Sequence, residues 1–130
     1  MDERTARVWV DSLGQAWCTR NPRAVGDLFA EHAVYRSDPF RPALVGRTAI
    51  VEYWAEATRS QSGISVSFGD PLVQGDRVAV EWWSILNEDG QPSTEAGGLF
   101  LAFDNGLCTE LREYWNVTPQ AVTVSEGWGQ

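Results

Sequence analysis

The stretch RVAVEWWSILNEDGQPSTEAGGLFLAFDNG, residues 77–106, decides the architecture of this chain. From Arg77 to Leu86 the side chains alternate, with Ala79, Glu81, Trp83 and Ile85 on one side and Val80 and Trp82 on the other. A period of two means a strand. Asn87-Glu88-Asp89-Gly90 turns the chain, Thr94 to Phe103 alternates again, and Asp104-Asn105-Gly106 turns it once more into Leu107–Val117. Short polar turns containing glycine join such strands as hairpins, so the second half of the chain reads as an antiparallel meander. Upstream, Ile64–Val73 is a further strand, broken at Gly69-Asp70-Pro71.

The period changes toward the N-terminus. Ala6, Trp9, Val10, Leu13, Ala16 and Trp17 recur at spacings of three and four, one apolar face of a helix over residues 3–19. Asn21-Pro22 ends it and caps a short second helix whose inward residues are Ala24, Val25, Leu28 and Phe29. Ala33–Arg36 reads as a short strand, and residues 37–42, with two prolines, as an irregular extended segment. Gly46 opens a third helix, Thr48–Thr58, with a stripe of Ala49, Ile50, Tyr53, Trp54 and Ala57. Three helices followed by strands predict an α+β domain over residues 1–117, with the helices on one face of a curved antiparallel sheet. The tail, 118–130, either lacks fixed structure or docks through Trp128.

Composition narrows the function. The chain has 130 residues, 43% hydrophobic and 22% charged, enough for one core without staples. Ten basic residues, all arginine, face 18 acidic ones, for a net charge of −8. That balance excludes nucleic acid and anionic membranes as partners, since both need a basic patch. No apolar run is long enough to span a bilayer and no signal peptide is visible. Cys18 and Cys108 form no paired motif and read as free thiols of a reducing cytoplasm. A single histidine, His32, argues against a histidine metal site, and no cofactor is implied. Both sides of Val78–Ile85 are apolar, so the side away from the helices needs a cover, and a second copy of the chain is the expected one.

Four segments carry a family resemblance: DLFAEHAVYRSDPF (27–40), LVGRTAIVEYW (44–54), VAVEWWSI (78–85) and ELREYWNV (110–117). Together they resemble the nuclear transport factor 2-like superfamily over nearly all of residues 3–117. The resemblance implies a cone-shaped α+β fold, with three N-terminal helices on the concave face of the sheet. That cone serves ketosteroid isomerases, epoxide hydrolases, dehydratases, SnoaL-type polyketide cyclases and non-catalytic binding proteins, and fold alone does not choose among them. The expectation is a SnoaL-like small-molecule binding protein with an apolar pocket. The alternative is an acid–base enzyme of isomerase, epoxide hydrolase or cyclase type on a small apolar substrate.

Asp38, in an Asp-Pro after the first strand, matches the place of the isomerase general base; it also suits a turn. The isomerase partners, a Tyr on the first helix and an Asp on a later strand, are replaced by Leu13 and by the apolar run Gly98–Ala102. Glu81 and Arg112, with Asp38 or Glu110, match by residue type the Asp-Arg-Asp set of the epoxide hydrolases, or form a structural ion pair. On the last strand Cys108, Glu110, Arg112 and Tyr114 alternate against Leu111, Glu113 and Trp115, and the more polar first set is expected to face the pocket. Cyclases of this fold often end that strand in an acid, where this chain has Asn116. Arg36 is a candidate anion binder. Trp17, Tyr35, Phe40, Tyr53, Trp54, Trp83 and Tyr114 are the expected ligand-lining aromatics, beside a core role for most of them.

Overall fold

The structure, a computed structural model, describes residues 1–130. Helix α1 spans Glu3–Cys18, and the Asp2 side chain caps it by accepting a hydrogen bond from the Thr5 amide at 2.7 Å. Its buried stripe is the one that the spacing predicts. Helix α2, Pro22–Gly26, is capped by Asn21 and stops earlier than expected. The Leu28 carbonyl accepts instead from the Trp9 indole and from the Cys108 amide, each at 3.0 Å, so Leu28 and Phe29 leave the helix. Gly26 lies where a Cβ would strike Val51 of helix α3, Arg47–Thr58, and this lets α2 and α3 pack closely.

Strand β1 is longer than expected, Phe29–Arg36, and a two-residue strand β2, Leu44–Val45, pairs with it. The break at Gly69-Asp70-Pro71 divides β3, Gln61–Phe68, from β4, Leu72–Gln74; both pair with β5. The meander is β5, Arg77–Glu88, β6, Gln91–Asp104, and β7, Leu107–Thr118. The sheet runs β2-β1-β7-β6-β5-β3. It is mixed rather than wholly antiparallel, because β1 lies parallel to β7. Parallel neighbours need a long crossover, and everything from α3 to β6 forms that connection.

The helices cover one face of the sheet, the inner face. Val78, Val80, Trp82, Ser84 and Leu86 of β5 are buried there, in register with Leu101, Leu99, Gly97, Glu95 and Ser93 of β6. The Trp17 ring meets Trp54 at 5.4 Å and Trp82 at 5.6 Å, both edge-on, tying α1 to α3 and to the sheet.

The tail folds back onto the outer face. The Trp83 indole donates to the Val122 carbonyl at 2.9 Å, and the Trp128 ring stands edge-on to Trp83 at 5.7 Å. Thr94 Oγ1 donates to the Gln120 carbonyl and accepts from the Val122 amide. The Asp70 amide donates to the Gly129 carbonyl at 2.6 Å. Part of the apolar outer face is thus covered from within the chain, while Leu72, Phe100 and Tyr114 stay exposed. No helix is long and apolar enough to cross a membrane.

Candidate functional site

Between α1, α3 and the inner face lies a cavity of about 290 Å³. Its aromatic wall is Trp17 from α1, Tyr35 from β1, Tyr53 and Trp54 from α3, Trp82 from β5 and Trp115 from β7. Gln61, Thr58 and three carboxyl groups, Glu88, Glu95 and Glu113, complete it. Four of these rings, Trp17, Tyr35, Trp54 and Trp82, and Glu113 also border a void of about 20 Å³ walled by Leu13, Phe68, Leu99 and Leu111.

The register of the meander explains the placement. Trp82, Gly97 and Trp115 share one inner row across β5, β6 and β7; Leu99 and Glu113 form the row beside it, and Ser84 and Glu95 the row on the other side. A Cβ at Gly97 would collide with the Tyr114 carbonyl oxygen and Trp115 Cβ, so glycine is what allows β6 and β7 to approach there. Trp115 is held from its far end, where its indole donates to the Ser37 carbonyl at 3.0 Å. Trp17 donates to Gln61 Oε1 at 2.8 Å, and Ser60 donates to Glu88. The Trp82 indole N–H is buried and meets no acceptor; that of Trp54 lies beside the Tyr35 hydroxyl without forming a well-aligned bond.

Electrostatics sets this cavity apart. None of the ion pairs in the structure involves Glu88, Glu95 or Glu113. Burial, and then the neighbouring Glu95, push the Glu113 carboxyl up to about 8, so it holds its proton at neutral pH. Burial and Glu88 raise Glu95 as well. Burial, and then Glu113, raise the phenols of Tyr35 and Tyr53. The site offers a proton-holding acid beside a second carboxyl group, inside an aromatic box.

Comparison with known proteins supplies the lineage. The model of the SnoaL-like domain matches residues 10–111. The chain belongs to the SnoaL-like family. A Catenulispora acidiphila protein with a ketosteroid isomerase-like fold, solved in complex with trimethylamine, matches at 23% identity and a TM-score of 0.74, covering 82% of this chain and 83% of that one. An epoxide hydrolase/cyclase-like enzyme with a role in pyran ring formation in the polyether salinomycin matches at 16% identity and a TM-score of 0.78, over 91% and 98% of the two chains. A Mycobacterium tuberculosis LEH-like epoxide hydrolase matches at 16% identity and a TM-score of 0.73, over 88% and 84%. At these identities the likeness is one of fold. No protein of curated function matches the chain in sequence.

Within this SnoaL-like cone, four of the expected aromatics, Trp17, Tyr35, Tyr53 and Trp54, line the cavity. The structure places the expected catalytic residues, Asp38, Glu81 and Arg112, outside this cavity. Asp38 forms a turn: its carboxylate accepts from the Phe40 amide at 2.8 Å and pairs with Arg41 at 3.6 Å, outside the cavity. Glu81 is exposed on the outer face, and Arg112, also on that face, pairs with Glu110 at 3.6 Å. Arg112 and Glu110 border an outer groove of about 440 Å³ with Leu72, Ala79 and Phe100, which no helix covers. Arg36 ends β1 in register with Arg112, Phe40 is 94% exposed, and Tyr114 stacks edge-on against Phe100 outside. Trp83 holds the tail.

The reason is one of face. On β7 Glu110, Arg112 and Tyr114 point outward, the side with Leu111, Glu113 and Trp115 points inward, and Cys108, beyond an irregularity in the β6–β7 register, is buried in the core. Glu113, Glu95, Glu88, Trp82 and Trp115 also line the cavity and are not among the residues expected there from the sequence. The signal for Glu113 was present: a lone carboxyl group on the apolar side of an alternating strand.

Proposed function

We propose that this SnoaL-like protein binds a small organic molecule in the aromatic cavity, with Glu113 and Glu95 as its polar handles. The observation that carries the reading is the cavity itself, about 290 Å³ walled by six aromatic rings and carrying carboxyl groups that no arginine neutralises. Titration of small organic ligands against tryptophan fluorescence tests it. Saturable quenching that Trp82→Phe and Glu113→Gln alter, and that Glu81→Gln leaves unchanged, is the expected outcome; ligands that ignore all three substitutions would refute it.

Acid–base catalysis is the second reading, favoured by one observation: Glu113 holds a proton at neutral pH next to a second carboxyl group. Glu113 would act as the acid and Glu95 as the base, in place of Asp38 and Glu81. A fold shared with epoxide hydrolase-like and cyclase-like proteins supports it. Under this reading Glu113→Gln abolishes turnover of an epoxide or ketone substrate and leaves its binding within about twofold, since the amide keeps the shape and loses the transferable proton.

Two further parts of the proposal concern setting. Cys18 and Cys108 are unpaired, which suits a reducing cytoplasm. The exposed outer strip of Leu72, Phe100 and Tyr114 suits contact with a second copy. Light scattering tests the second part: a species of 14.5 kDa at high concentration refutes it.

A further inference from the structure

From the cavity's walls and charges we infer the class of its ligand: a small organic cation, an alkylated ammonium whose chain carries an oxygen acceptor. The inference rests on the proposed small-molecule reading and narrows it.

Three carboxyl groups, Glu88, Glu95 and Glu113, border one cavity, and none has an ionic partner. Burial raises Glu113 and Glu95, so a charge on either carboxyl group carries a cost that a neutral ligand leaves in place. An anionic ligand adds to it. A cation removes it, and it does so in a chain whose net charge of −8 draws cations toward it. The rest of the wall suits an alkylated cation rather than a metal ion. Trp17, Tyr35, Tyr53 and Trp54 present rings, which attract a diffuse cation and solvate its alkyl groups. A hard metal ion needs several oxygen ligands in one shell, and no such cluster exists here.

The Trp82 indole is a separate observation. Trp82 is 4% exposed, lines the cavity, and its N–H has no acceptor in the protein. A buried donor left unpaired points to an acceptor that arrives with the ligand. A hydroxyl or ether oxygen near the ammonium supplies it.

The proton on Glu113 adds a pH signature. Glu95 on β6, Glu88 on β5, Tyr35 on β1 and Tyr53 on α3 face it inside the cavity; Arg36 and Arg112 border it from an outer crevice without forming an ion pair. A bound cation favours the ionised carboxylate, so binding expels a proton below about pH 8 and affinity rises with pH up to that point.

Choline and its neutral carbon isostere, 3,3-dimethylbutan-1-ol, test the inference by calorimetry on the full chain. Choline should bind about tenfold or more tightly than the isostere at pH 9, where desolvated cation–ring and carboxylate contacts are both available. Its affinity should fall about tenfold or more between pH 9 and pH 6. The double variant Glu95→Gln, Glu113→Gln should abolish both the preference and the pH dependence while still binding the isostere. Trp82→Phe should bring choline down toward tetramethylammonium, which has no oxygen. An isostere that binds as well as choline overturns the cation inference and leaves the small-molecule reading standing. Choline binding that survives in the double variant overturns it too. Absence of binding by every one of these probes overturns both.

Discussion

Trp82 and Trp83 are adjacent in the chain and occupy different chemical worlds. Trp82 points to the inner face, packs edge-on against Trp17, and leaves its indole N–H unpaired beside a cavity. Trp83 points to the outer face, gives its N–H to Val122 and receives the Trp128 ring. The same contrast runs along β7. Arg112 outside pairs with Glu110, while Glu113 inside forms no ion pair and has Glu95 as its charged neighbour in the cavity. The outer face has its polar groups satisfied by water, ion pairs and the tail. The inner face keeps some of its polar groups unsatisfied, which is what a site that waits for a ligand needs.

The largest test of this contrast removes the two indoles in turn. Trp82→Ala should cost about 3–5 kcal/mol, because a buried ring leaves a cavity that neighbouring tryptophans fill only in part. Trp83→Ala should cost about 1–2 kcal/mol, the worth of one edge-to-face pair and one hydrogen bond, and should free residues 119–130. Urea denaturation of both variants, with limited proteolysis of the second, measures the gap; equal costs would erase the distinction between the faces.

Charge is the next lever. The Glu113 carboxyl is raised in the folded state, from an ordinary 4.5 to about 8, so the folded protein binds this proton more tightly than the unfolded chain does. Its contribution favours folding at low pH, is lost as pH rises through that window, and is flat above about 8. Glu113→Gln should therefore raise the Tm at pH 8 and above, and flatten its decline between pH 5 and 8. Thermal melts across that range check it; a variant whose Tm follows the parent at every pH would remove the buried proton from the account. The smallest expected effect belongs to the outer acids. Glu81→Gln, at an exposed site, should change stability by less than about 0.5 kcal/mol; Asp38→Asn, which weakens the turn bond to the Phe40 amide, should cost less than about 1 kcal/mol; both should leave cavity binding unchanged. Loss of ligand binding in either would return the site to where residue type alone suggested it.

Much of the fold was legible beforehand. The stripe of α1, the Asn21-Pro22 junction and the turns at residues 87–90 and 104–106 act through local geometry, so they could be read locally. The end of α2 could not, because the Leu28 carbonyl is claimed by Trp9 and Cys108, residues 19 and 80 positions away. The parallel pairing of β1 with β7 was hidden for the same reason. At the site, four of the six cavity rings were nameable in advance, three from inward helix stripes and Tyr35 from the first strand, since large aromatics there have few other places to go. The acids were not, because polarity alone does not say which side of β7 is enclosed: Glu110 and Arg112 border the open outer groove, and Glu113 lines the inner cavity.

The sequence alone determined which residues travel together, for a strand's period of two places Glu113 with Leu111 and Trp115, and Arg112 with Glu110, whatever packs around them. It left open which set faces inward, because β5 is apolar on both sides and either could have met the helices. Tertiary structure decided that. The Trp17 ring packed against Trp54 and Trp82, the tail claimed Trp83, and the enclosure of Glu113 among residues from α1, α3 and the sheet raised its carboxyl, an effect that arises only when distant elements together exclude water.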